Sequence, residues 1–244
     1  MIKKCMMILQ NIALNRGRNS LSSISEATGI PRSTVHRLLR VMEENEMVTL
    51  QKRGGYVIAE SLLRTCLQGT GNSSILSTLI PLADEVRDAT HETVSINVLS
   101  GLERMCIYRA EGDYPITRMV MIGSRAPLFY GAAGRVLAAE LRQSRLEKAL
   151  DYVLQTGYAQ RSDIPRLLER AKSDRQNGYA VSIQERHVGC GSIAVPIKRG
   201  LTGETIAAIS ISALASRIED KPTQSKYLSL LMRAAAEGNA KILI

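Results

Sequence analysis

The chain of 244 residues carries 32 Lys/Arg against 23 Asp/Glu, a formal net charge of +9 with a pI near 9.6, and its apolar and charged shares are those of a soluble globular protein. Cys5, Cys66, Cys106 and Cys190 are too widely spaced for a zinc site or a disulfide framework, and with no Trp and one Phe the chain lacks a stacking platform for single-stranded nucleic acid. No apolar run approaches membrane-spanning length, and the amphipathic start MIKKCMMILQNIAL is no signal peptide, so a cytoplasmic protein without membrane, metal or cofactor is expected.

The length allows two domains. Residues 1–70 hold 10 Lys/Arg and 5 Asp/Glu, whereas residues 71–244 hold 22 and 18, so positive charge is concentrated at the N-terminal end and points to a polyanionic partner. Residues 2–15 read as a first helix with Met6, Leu9, Ile12 and Ala13 on its inner face. Leu21 to Leu39 then reads as two short helices and a tight turn. Ser22 or Ser23 caps the first, Ser23-x-x-Glu26 fits a capping box, and Thr28-Gly29 ends it. The second begins near Pro31, where a missing N–H costs nothing. Val35, Leu38, Leu39 and Met42 form its apolar face, and Arg32, Ser33, Thr34, His36, Arg37 and Arg40 form the other. Every side chain on that second face can donate a hydrogen bond, which suits the major groove of DNA.

By itself this stretch also fits an ordinary helical hairpin with a solvated basic face. The residues after it favour DNA. Met47–Leu50 and Tyr56–Ile58 read as paired strands around Lys52-Arg53-Gly54-Gly55, a turn that carries two cations toward phosphate. The pattern is a winged helix-turn-helix over 1–59, followed by a linker helix and a Gly/Ser/Asn-rich loop over 60–74.

In residues 75–244 a helical stripe runs from Ile75 to Val86, with Pro81 placed to kink it. Strands follow at 93–99, 104–110 and 116–122, then a loop at 123–131. Helices come next at 132–141, 144–154 and 163–177, strands at 179–185, 190–197 and 205–212, and a closing helix at 222–241. This order describes an α+β fold with an antiparallel sheet and flanking helices. Asp84, Glu85, Asp88 and Glu92 form an acidic run that reads as solvated.

Two features could hold a small molecule. Gly131-Ala132-Ala133-Gly134 opens a helix with nothing larger than methyl, so its exposed N–H groups and dipole could attract a carboxylate; close helix–sheet packing is the equal alternative. Ser182, Ser192, Ser210 and Ser212 sit on the three late strands, where alternation puts Ser210 and Ser212 on one face. His187 and Cys190 are a weak pair for nucleophilic catalysis, because no orienting Asp or Asn and no oxyanion hole accompany them.

The run Gly29-Ile30-Pro31-Arg32-Ser33-Thr34-Val35-His36-Arg37-Leu38-Leu39 resembles the reading helix of the bacterial IclR family of transcriptional regulators. Gly123–Leu128, Ala132–Arg135, Asn177–Ala180, Ser192–Ile197 and Ala207–Ser212 extend the resemblance to about residues 5–240. It implies a GAF-like C-terminal domain whose effector cavity is bordered by Ala132, Ala133 and Gly134. It also implies homodimers on a palindromic operator that pair into tetramers, with most members repressors and some activators. This chain departs from the pattern at Ser182, usually acidic, at Ser192, commonly Cys, at Phe129, often His, and at Arg135, often Lys. The combined expectation is a sequence-specific, double-stranded-DNA-binding repressor that responds to a small organic acid and is no enzyme. An architectural DNA-binding protein without a ligand is the rival, and an enzyme acting on its bound molecule a more distant one.

Overall fold

A computed structural model describes residues 1–15, 19–51, 54–59, 61–62, 73–114 and 120–242. The chain divides into two compact units, Met1–Ser73 and Ser74–Ile244.

The first unit packs α1 (Ile2–Leu14), α2 (Leu21–Thr28) and α3 (Arg32–Glu44) with a hairpin of β1 (Val48–Leu50) and β2 (Tyr56–Ile58). Its core joins Ile8, Leu9, Ile12, Ile24, Val35, Leu38, Leu39 and Met42. The buried face of α3 is the one its spacing predicts. On α1 the expected inner face is rotated: Met6 and Ala13 are exposed, and Ile8 is fully buried. Apolar residues surround most of that helix, so the choice of stripe falls to packing. The cap of α2 is Ser20, whose Oγ accepts from Ser23 N at 3.2 Å, so Ser22 and Ser23 lie within the first turn. Gly29 takes the left-handed conformation at φ 66, and across the turn Ser25 Oγ donates to Ile30 O at 2.7 Å. Pro31 precedes α3 as its cap, and its carbonyl accepts from Thr34 N and Val35 N. Asn19, unremarkable in sequence, ties the unit together: buried, it donates from Nδ2 to Ile12 O (3.1 Å) and Tyr56 O (3.0 Å), joining α1 to β2.

The second unit is built on a six-stranded antiparallel sheet. Its strands are β3 (Thr93–Ser100), β4 (Glu103–Ala110), β5 (Arg125–Pro127), β6 (Ala180–Ile183), β7 (Cys190–Lys198) and β8 (Thr205–Leu214), in spatial order β5-β4-β3-β8-β7-β6. One face carries Val94, Ile96, Ile193, Val195, Ile197, Ile209 and Ile211. These pack with α4 (Ser73–Thr90), which runs unbroken through Pro81, and with α9 (Lys221–Lys241). The opposite face is small and polar. Ala180, Ala194 and Ala208 there meet α5 (Ala132–Ala139), α6 (Gln143–Gln155) and α7 (Ile164–Asn177). Strand alternation separates the two sets, since neighbouring side chains point to opposite faces. A short α8 (Ala215–Glu219) precedes α9.

Two expectations fail here. Residues 120–122 form no strand, and residues 115–119 of that expected element lie outside the described residues. The strand that does pair with β4 is β5, in the stretch read as a loop; three residues are too few to show a period, and its register with Glu103–Met105 makes it a strand. Nor is the acidic run all solvated. Glu92 is 1% exposed and accepts from Arg217 Nη1 (2.6 Å) and Tyr227 OH (3.0 Å), while Asp84 accepts from Tyr108 OH at 2.7 Å. Burial, reinforced by Asp84, pushes the Tyr108 hydroxyl up to about 12. Tertiary neighbours supplied those partners, and sequence distance hid them.

Candidate nucleic-acid interface and candidate ligand cavity

On α3 the buried apolar stripe forces the opposite side outward. Arg32, Ser33, His36, Arg37 and Arg40 are exposed and Thr34 is half-buried. Arg40 donates from Nε to Glu44 Oε1 at 3.1 Å in a solvent-exposed i,i+4 pair, so its charge is partly answered within the helix. Lys52 and Arg53, the expected wing-tip cations, lie outside the described residues, as does most of the 60–74 linker.

In the second unit, between α5 and the polar face of the sheet, lies a small cavity of about 70 Å³. Of the residues singled out from sequence, Ala132, Ala133, Ser182, Ser192, Ser210 and Ser212 all line it. The register explains the serines. Ser182 pairs with Ser192 and Ser192 with Ser212, so three hydroxyls stand side by side across β6, β7 and β8. Gly134 is different: a Cβ there would sit 3.1 Å from Pro127 O, so this glycine serves close helix–strand packing. Gly131, at φ 70, caps α5 without a side chain; its N–H donates to Glu185 Oε2 (3.1 Å) and that of Ala132 to Ser192 Oγ (3.2 Å).

The cavity also holds residues that the sequence did not suggest, among them Ser95, Arg104 and Arg186. Ser95 faces Ser210 across the β3–β8 pairing, with the two Oγ atoms 3.0 Å apart. The available signal was the alternation Thr93-Val94-Ser95-Ile96-Asn97, whose polar members normally face water; here Thr93, Ser95 and Asn97 are all buried. His187 and Cys190 also border the cavity, joined through backbone, Cys190 N to His187 O at 3.2 Å. Arg135 turns away from it. Its guanidinium grips Asp174 with two bonds (2.9 and 2.7 Å), donates to Val181 O (2.7 Å) and reaches Glu185 Oε1 (2.8 Å). Burial pushes the Asp174 carboxyl up in spite of that cation. Phe129 is buried at φ 71 in the α5–α7 layer.

Comparison with known proteins agrees with this architecture. The family description "IclR helix-turn-helix domain" matches residues 2–52, and "Bacterial transcriptional regulator IclR C-terminal" matches residues 68–238. The chain belongs to the IclR family of bacterial transcriptional regulators. Within that family it is 30% identical to the HTH-type transcriptional repressor AllR of Escherichia coli K12 over 228 residues, covering 91% of this chain and 81% of AllR. The AllR of Salmonella typhimurium LT2 matches to the same extent. Among solved structures, the Thermotoga maritima IclR superposes with a TM-score of 0.73 at 25% identity, covering 100% of this chain and 98% of that one. An IclR homolog from Microbacterium hydrocarbonoxydans, crystallised with 4-hydroxybenzoate, shares the fold at a TM-score of 0.76 and 19% identity, covering 99% and 98%. As an IclR-family member the chain is a transcriptional regulator with a helix-turn-helix and an effector-binding domain. Among the described residues no helix is long and apolar enough to cross a membrane.

Proposed function

We propose that this protein is a cytoplasmic, sequence-specific repressor that lays α3 in the major groove of a palindromic operator and changes its grip when a small carboxylate enters the α5–sheet cavity. The observation that carries the DNA half is the division of α3. Val35, Leu38, Leu39 and Met42 are sealed in the core, while Arg32, Ser33, His36 and Arg37 stand exposed. Arg32, Ser33, Thr34, His36 and Arg37 are assigned to base edges, and Arg40, Lys52 and Arg53 to phosphates. One reading head spans few base pairs, so a homodimer matched to a two-fold operator is the expected assembly, with tetramers as pairs of dimers. The relatives named repressors support that direction of control.

The ligand half rests on a small cavity lined by hydroxyls beside α5, and on the cations at its wall. Its lining includes Arg104 and Arg186, and at its edge the Glu185 carboxylate accepts from Gly131 N. An anion suits it, with contacts from Ala132, Ala133, Ser182, Ser192, Ser210 and Ser212, and Gly134 behind them holding α5 close. The 4-hydroxybenzoate found with a fold neighbour supports an organic acid. Such an effector works by binding two arrangements of the reading heads unequally. It is bound and released unchanged, as membership of a family of transcriptional regulators implies.

Gel shifts on a selected operator test this reading. Arg37→Ala and Arg32→Ala each reduce discrimination against mismatched sites by roughly 1–3 kcal/mol if the contact is to guanine. Lys52→Ala weakens all sequences alike and flattens the salt dependence. Unchanged discrimination in both arginine variants removes α3 as the reading element.

A further inference from the structure

The two ends of α5 border two different openings. Its start, at Ala132, lines the hydroxyl-bearing cavity, and the residues that end it, Glu140 and Leu141, line a separate cleft of about 700 Å³. The other walls of that cleft are Leu99 at the end of β3, the start of α6, Arg175 of α7 and the β7–β8 turn at Thr202–Thr205. Three guanidiniums line it. Arg142 and Arg175 have no ion-pair partner among the described residues, and Arg145 donates one bond, to Gly101 O at 3.3 Å. Of the carboxylates, Glu140 is answered by Lys198 Nζ at 3.3 Å and Glu204 is not, so three cations against one unanswered carboxylate leave two positive charges in excess. The backbone adds to this. Arg142, the cap of α6, makes no side-chain bond to the helix, and the first turn holds no acidic residue. Arg142 O accepts from Arg145 N and Leu146 N at 2.9 Å each, while the N–H groups of Gln143 and Ser144 find no acceptor among the described residues. The positive end of α6 therefore adjoins the cleft. Thr205 Oγ1, enclosed in the wall, also lacks a hydrogen-bond partner, where a buried hydroxyl is normally paired. Leu141, Arg142 and Arg175 line an adjoining groove of about 330 Å³ as well, together with Leu146, Leu168 and Lys172.

We propose that this cleft is a second anion site and that it takes an organic phosphate, with the phosphoryl group among Arg142, Arg145 and Arg175 at the start of α6 and the apolar part against Leu141 and Leu146. No residue lines both openings, so neither site depends on the other. A phosphate monoester carries about −1.5 to −2 charge at neutral pH, which matches the excess of cations, and its three terminal oxygens can accept from guanidinium forks and helix N–H groups together. A carboxylate brings one charge and two oxygens. The leucines narrow the class further: inorganic phosphate leaves them in water, whereas an aryl or alkyl phosphate gains by covering them.

The test titrates the full chain with phenyl phosphate and with inorganic phosphate by calorimetry, in a phosphate-free buffer of low ionic strength. Wild type binds phenyl phosphate saturably and more tightly than inorganic phosphate, and added salt weakens both. Arg142→Gln and Arg175→Gln, each at an exposed position that the fold does not need, weaken phenyl phosphate about tenfold apiece, the worth of one charge-assisted contact. Ser144→Asp gives the start of α6 a carboxylate of its own and weakens binding by repulsion, without removing any cation. Arg233→Gln, exposed on α9, removes the same charge outside the cleft and leaves the affinity unchanged, so that a general loss of positive charge is told apart from loss of a contact. Phenyl phosphate binding that survives the Arg142→Gln, Arg175→Gln double variant overturns the proposal, as does the absence of saturable binding to wild type at millimolar phenyl phosphate. Equal affinities for phenyl and inorganic phosphate overturn the assignment of an organic phosphate. None of these outcomes bears on the hydroxyl-lined cavity, whose reading stands or falls by its own ligands.

Discussion

Replacing Arg135 by Met removes the cation at the centre of the second unit's buried ionic cluster. The Arg135 side chain is 11% exposed, and it meets Asp174, whose side chain is 5% exposed, through two bonds. Glu185 keeps a second cation, Arg170 Nη1 at 3.2 Å, so the variant strands mainly Asp174. Leaving one member of a buried ion pair uncompensated costs about 3–5 kcal/mol. The retained Arg170 places the expected loss near the lower end, at about 3 kcal/mol. The pH dependence gives the sharper signature. Burial already raises the Asp174 carboxyl above its ordinary value, and Arg135 opposes that rise. Without Arg135 the folded-state pKa climbs further while the unfolded-state value is unchanged. The folded variant then binds a proton that the unfolded chain does not, so its stability increases as pH falls through the raised pKa. Urea denaturation of wild type and variant at pH 8 and pH 5 measures this: the deficit is full at the higher pH and shrinks at the lower. Asp174→Asn in the Arg135→Met background should recover part of the loss at pH 8. A deficit that is constant, or that grows on acidification, refutes the argument that a stranded carboxylate causes it.

Three further substitutions test other parts of the structure. Leu39→Ala empties a fully buried position of the first unit and should cost about 2–5 kcal/mol; operator binding is lost in gel shifts while acid-induced stabilisation of the second unit persists, and normal operator binding would contradict it. Asn19→Ala withdraws the donor shared by Ile12 O and Tyr56 O, with an expected loss of about 1–3 kcal/mol and faster amide exchange in β2; unchanged exchange there would show that Asn19 does not hold the hairpin. Gly112→Ala puts a Cβ 2.6 Å from the backbone at Glu92 and Thr93, a clash of about 3 kcal/mol that should lower the second unit's Tm by roughly 6–12 °C; an unaltered melting curve would mean that the turn relaxes freely.

Periodicity alone located most elements, because a helix or strand with one sealed face must repeat its apolar residues at the spacing of its own backbone. The Val35-Leu38-Leu39-Met42 face, the Gly29 stop and the late strands carrying Ser192, Ser210 and Ser212 were legible for that reason. Signals failed where several choices were locally equal. Ser20, Ser22 and Ser23 can each cap a helix, and α1 is apolar on more than one side, so long-range packing made both choices.

The chain by itself determined which residues could face DNA and which hydroxyls could share a sheet face, since those properties follow from residue type and from 3.6- and 2-residue repeats. Only the tertiary structure decided that Ser182, Ser192 and Ser212 fall on one rung, that Glu92 is buried under Arg217 and Tyr227, and that Arg104 reaches Ser95 and Ser210 through Asn97. These pairings join residues distant in sequence. Strand register and burial set them, and neither is encoded in the local spacing of any one segment.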